Sequence, residues 1–79
     1  MDLESRVTID PKVMLGKPVI RGTRITVEIL LEKMAAGSSF EEILRDYPSL
    51  TPEDLRAAIA YARAALRAEE VLPLSQLAS

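Results

Sequence analysis

A chain of 79 residues with a net charge of −2, no cysteine and no histidine excludes several kinds of protein at once. It can form one domain, without a disulfide, and it offers neither imidazole nor thiolate for a zinc site or for nucleophilic catalysis. A domain this small buries only about 60% of the surface its unfolded chain exposes, so a homodimer is the expected source of further stability.

The first six residues, Met1 to Arg6, mix charges of both signs and contain no apolar run, unlike a signal peptide. Nowhere do about 18 apolar residues run together, so no membrane partner is expected and the protein reads as soluble and cytoplasmic. Charge is unevenly spread. Residues 1–24 hold five Lys/Arg against three Asp/Glu, whereas residues 25–79 hold five against nine. The N-terminal third is therefore the more anion-friendly part.

In chain order, Arg6-Val7-Thr8-Ile9 alternates polar and apolar and is rich in β-branched residues, the pattern of a half-buried strand. Asp10-Pro11 ends it with a turn, and Val13-Met14-Leu15 is expected to give apolar cover. The next stretch, Gly16-Lys17-Pro18-Val19-Ile20-Arg21-Gly22-Thr23-Arg24-Ile25, concentrates glycine, proline and cations. Gly16, Pro18 and Gly22 read as a structural turn, with Val19-Ile20 as a second short strand.

Everything after this box reads as helix. The first runs from about Thr26 to Ala36, with Thr26 as N-cap and Gly37 at the left-handed C′ position. Val27, Leu30, Leu31 and Met34 form one face, and Ile29 and Ala36 a second apolar patch. Ser39-Phe40-Glu41-Glu42 is a capping box that opens a short second helix, closed by Pro48. Phe40, Ile43, Leu44 and Tyr47 form its stripe. Thr51-Pro52-Glu53-Asp54 opens the third helix, with Leu55, Ala58, Ile59, Ala62, Leu66 and Ala65 expected on the buried face. Arg56, Arg63 and Arg67 fall within about 40° on a wheel of 100° per residue, with Ala57, Ala60 and Ala64 beside them.

This gives three parts of one compact domain: a β element and basic turn over 1–25, three helices over 26–68, and a tail over 69–79. A tight connection, a short capped helix, a four-residue turn and a longer capped helix outline a helix-turn-helix, although any small three-helix bundle shares that outline.

Thr8-Ile9-Asp10-Pro11, the box from Gly16 to Ile25, and Asp46-Tyr47-Pro48-Ser49-Leu50-Thr51 together resemble the prokaryotic family called domain of unknown function four-three-three. The match spans roughly residues 6–65. The resemblance implies a mainly α fold, a three-helix homeodomain-like helix-turn-helix bundle with a short N-terminal two-stranded β element. It further implies the antitoxin of a type II toxin–antitoxin pair, acting beside a PIN-like nuclease toxin.

Two sets of cations are candidates for operator DNA. Arg56, Arg63 and Arg67 on the third helix suit a row of phosphates, or are an ordinary solvated face. Against DNA, that helix begins with Glu53 and Asp54, which repel phosphate where a recognition helix meets base edges. Lys17, Arg21 and Arg24 suit an arm reaching phosphate or the minor groove, or else pair with Asp10, Glu28 or a partner's acids. Gly16-Lys17 is no phosphate-binding loop, since proline follows the lysine and position 11 is also proline. The acids sit at helix starts, where capping accounts for them, so no catalysis, metal or cofactor is expected. In the tail, Val71, Leu72, Leu74 and Leu77 are candidate toxin-binding anchors. The expected function is an antitoxin-like DNA-binding protein that neutralises a PIN-like nuclease and autoregulates its operon. The rival is a dimeric interaction module that does not bind DNA.

Overall fold

The computed structural model describes residues 3–69. Leu3–Arg6 forms a 3-10 turn that leads into β1 (Val7–Thr8), which pairs antiparallel with β2 (Val19–Ile20). Val7 lies opposite Ile20 and Thr8 opposite Val19. Helices α1 (Val27–Ala35), α2 (Phe40–Asp46) and α3 (Pro52–Glu69) follow. The fold is therefore mainly helical, three helices carrying a two-stranded antiparallel sheet.

The start of each helix and the end of α1 carry the caps expected there. Thr26 Oγ1 accepts from the Ile29 amide at the start of α1. At its end Gly37 has φ 101°, its amide donates to Met34 O, and the Ser38 amide donates to Lys33 O. Those two bonds are a Schellman cap, which satisfies two of the helix's last carbonyls. Ser39 and Glu42 close the capping box of α2, at 3.1 and 2.8 Å.

The core gathers Ile20 of β2, Val27 and Leu30 of α1, Ile43 of α2, Leu50 of the turn that follows, and Leu55 and Ala58 of α3. Leu30, Ile43 and Leu55 are fully buried. Val7, Ile29, Met34, Phe40 and Tyr47 pack around them half-buried. Ile29 thus belongs to the rim of the core, while Ala36 is exposed.

Three expectations need correction. The first strand is shorter than Arg6–Ile9: Arg6 ends the 3-10 turn, and Ile9 lies past the last pair and is 55% exposed. Val13-Met14-Leu15 does not cover the core as a unit. Met14, Leu15 and Gly16 have φ of 49°, 58° and 81°, so the chain winds left-handed and throws Leu15 outward, 93% exposed. Finally, the buried arc of α3 is rotated. Ala57 is fully buried, whereas Ile59 and Leu66 are exposed. The N-terminal 3-10 turn packs against α3, with its Arg6 bound to Asp54 one turn before Ala57.

Candidate functional site

The box from Gly16 to Ile25, which contains β2, is fastened by its own backbone. The Ile20 amide donates to Ile25 O, the Thr23 amide to Ile20 O, and the Val27 amide to Pro18 O, each at 2.9 Å. Thr23 Oγ1 donates to Ile20 O at 2.7 Å and accepts from the Ile25 amide at 3.0 Å. Gly22, at φ 80°, occupies the turn position where a left-handed residue is needed, and no atom lies within 4 Å of where a Cβ would stand. Glycine is required there by conformation, not by space.

The cations of the box fan out to separate places. Lys17 Nζ meets Glu28 of α1 at 3.3 Å, an exposed pair of little energetic weight. Arg21 Nε donates to Ser5 O at 2.6 Å, and its side chain lines a recess with Ser5, Arg6 and Asp54 at the start of α3. Arg24 is exposed beside a shallow recess formed by Thr8, Asp10, Val13 and Val19.

At the start of α3 the structure holds a linkage that the sequence alone did not reveal. Asp54 accepts from the Thr51 amide at 2.9 Å while Thr51 Oγ1 accepts from the Asp54 amide at 3.3 Å, a capping box with aspartate in the glutamate position. The other Asp54 oxygen binds Arg6 Nη1 at 3.0 Å, with side-chain exposures of 25% for Arg6 and 11% for Asp54. One carboxylate therefore closes α3 and fastens the N-terminal turn to it. The only trace in the sequence was Thr51-x-x-Asp54; its partner stands 48 positions earlier.

That linkage changes the electrostatics of the helix start. Asp54 is buried and neutralised by Arg6, and Glu53 lies 3.8 Å from Arg56. The repulsion expected from two bare acids is reduced to one partly paired glutamate. Further along, Arg63 and Arg67 are exposed, and among the described residues neither has an ion-pair partner. Arg56, Arg63 and Arg67 line the side of α3 turned away from Ala58 and the core.

The opposite flank of α3 is apolar, with Ala62 and Ala65 half-buried and Leu66 exposed among the described residues. Its 18 residues span about 27 Å against about 14 Å for the nine of α1, and in its second half Tyr61 packs on the core while Ala64, Leu66 and Arg67 are exposed. There Ala62, Ala65 and Leu66 face Pro18, Val27 and Leu31 across an open groove of about 420 Å³. Helical periodicity marked these residues as apolar but gave no sign of the groove they share with Pro18, Val27 and Leu31. The anchors Val71, Leu72, Leu74 and Leu77 lie outside the described residues.

No helix among the described residues is long and apolar enough to cross a membrane. Nor do three or more Asp or Glu converge there as a metal site would require. Glu42 and Asp54 are committed to helix caps.

Comparison with known proteins places the chain. Residues 7–62 match the family model described as "Protein of unknown function (DUF433)". A crystal structure of a DUF433 member from Anabaena variabilis superimposes with a TM-score of 0.74 at 40% identity, over 78% of this chain and 61% of that one. "Uncharacterized protein y4eO" of Sinorhizobium fredii is 45% identical over 73% of this chain and 26% of its own length. "Putative antitoxin VapB45" of Mycobacterium tuberculosis is 34% identical over 71% of this chain and 23% of its own. The chain thus spans about a quarter of those two curated relatives. The matched segment holds both strands, the glycine-bracketed box and most of the three-helix body, and the chain belongs to the DUF433 family.

Proposed function

We propose that this protein is an antitoxin that binds operator DNA as a homodimer and neutralises a PIN-like nuclease toxin. The observation that carries the DNA half is the outward stripe of Arg56, Arg63 and Arg67 on the helix that follows the short turn Tyr47-Pro48-Ser49-Leu50. A helix so placed in a helix-turn-helix lies in the major groove, and the capped, Arg6-bound Asp54 removes one charge that would oppose it. The antitoxin half is supported by family membership and by the name of the VapB45 relative. Two copies double the few cations one chain offers and present them to half-sites about one helical turn apart.

Arg63, Arg67 and Arg24 are the cations best placed to reach phosphate, since Lys17, Arg21 and Arg56 already hold partners within the chain. Those commitments favour a second reading, a dimeric interaction module in which the basic box is structural. Gel retardation of the protein's own upstream DNA at two salt concentrations separates the two. Retardation that weakens steeply with salt supports the operator reading. A folded dimer that shifts no DNA even at low salt supports the module. For the toxin half, Val71, Leu72, Leu74 and Leu77 are the proposed anchors; co-purification with the nuclease encoded alongside, lost on changing these four to aspartate, is the expected result.

A further inference from the structure

The connection between the two strands holds a leucine out into solvent at a cost to its own backbone. Met14 and Leu15 stand at φ 49° and 58°, a region that residues with a side chain avoid. The result is a knob: Leu15 is 93% exposed, with Met14 and Ile9 also exposed beside it. Strain of this kind persists where the displayed side chain serves something outside the fold. The flanks of the knob are basic. Lys12 and Lys17 are both exposed, and Lys12 has no ion-pair partner among the described residues.

The same chain carries a surface of the opposite shape and charge. The groove between α1 and α3 is walled by Pro18, Leu31, Ala62, Ala65 and Leu66, with Glu28 on its rim. Glu32 stands one turn further along the same side of α1. It is exposed and has no ion-pair partner among the described residues. Leu15 does not sit in this groove of its own chain, being 93% exposed. Yet Pro18 of the groove wall follows it by three residues, at most about 11 Å of extended chain.

We propose that two copies pair about a two-fold axis, the Leu15 of each seated in the α1–α3 groove of the other and its Lys12 beside the other's Glu32. A two-fold interface needs one self-complementary surface, in which every contact of i with j is repeated as j with i. Knob and groove within a few residues of each other supply both halves. Charge points to a second copy as the occupant, because residues 1–24 are net positive and residues 25–79 net negative. The arginine stripe stays outside the contact: on an ideal wheel Arg63 and Arg67 lie about 60° and 100° round α3 from Leu66. The proposal rests on the homodimer of the operator reading and gives that dimer its interface.

Sedimentation equilibrium of the full chain tests the pairing without DNA or toxin. The wild-type chain is expected to be a dimer. Leu15→Gly removes the knob and relieves the positive φ, so the single chain stays folded by circular dichroism. Its dimer dissociation constant is expected to rise by about ten-fold or more. Lys12→Glu and Glu32→Lys should each weaken the dimer. Mixing those two variants should restore it, because in the mixed pair both contacts again join a lysine to a glutamate. A Leu15→Gly chain that dimerises as well as wild type, or charge variants that gain nothing on mixing, would overturn the interface and leave the homodimer standing. A folded wild-type monomer at every concentration would overturn both, while gel retardation judges the DNA half separately.

Discussion

The glycine-bracketed box and the second half of α3 are opposite in how they are held. The box is tied together by its own backbone: Pro18 O, Ile20 O, Ile25 O and Thr23 Oγ1 all accept bonds from residues between Ile20 and Val27. The second half of α3 has arginines on one side, an apolar flank on the other, and little of the body against either. The contrast separates what holds the molecule together from what is left for partners. Arg21 of the box is committed to Ser5 O, whereas Arg24, Arg63 and Arg67 are exposed and have no ion-pair partner among the described residues.

Substitutions that test the contrast fall in a clear order. Leu55→Ala, at a fully buried position in the first half of α3, is expected to cost about 2–5 kcal/mol in denaturant unfolding. Asp54→Ala should cost about 2–3 kcal/mol, because it removes the charged bond to Arg6 and opens the α3 cap together. A loss near 1 kcal/mol would mean that Asp54 acts as a cap alone. Gly22→Val should cost about 1–3 kcal/mol from its positive φ, with no steric contribution from neighbours. Leu15→Gly is expected to raise stability by several tenths of a kcal/mol or more, since a 93% exposed leucine at φ 58° has strain to lose and little packing. Arg63→Ala with Arg67→Ala is expected to leave the melting temperature almost unchanged, as for exposed sites in general.

The legible parts of the sequence were those with local causes. Thr26, Ser39, Glu42 and Gly37 announce helix ends because a cap joins residues three to five apart. Pro18, Val19, Ile20 and Gly22 announce a strand and turn for the same reason. The Arg6–Asp54 bond was not legible, because nothing local ties positions 48 apart. Its absence from the reading explains the misjudged buried arc of α3. Without the N-terminal turn packed on α3, the helix wheel alone centres burial toward Ile59 and Leu66, which are in fact exposed. The left-handed winding at Met14-Leu15 was likewise hidden, since neither residue type favours it. For the candidate site, periodicity put three arginines on one stripe, but only coordinates showed Arg56 beside Glu53 and Arg63 without a partner among the described residues.

The most direct measurement is a salt titration of operator affinity for the wild-type chain and for the variant with Arg56→Ala, Arg63→Ala and Arg67→Ala, followed by fluorescence anisotropy. The α3 stripe predicts weaker binding and a log–log salt slope made shallower by about 0.9 for each phosphate contact removed. Unchanged affinity and slope in a folded variant would contradict it.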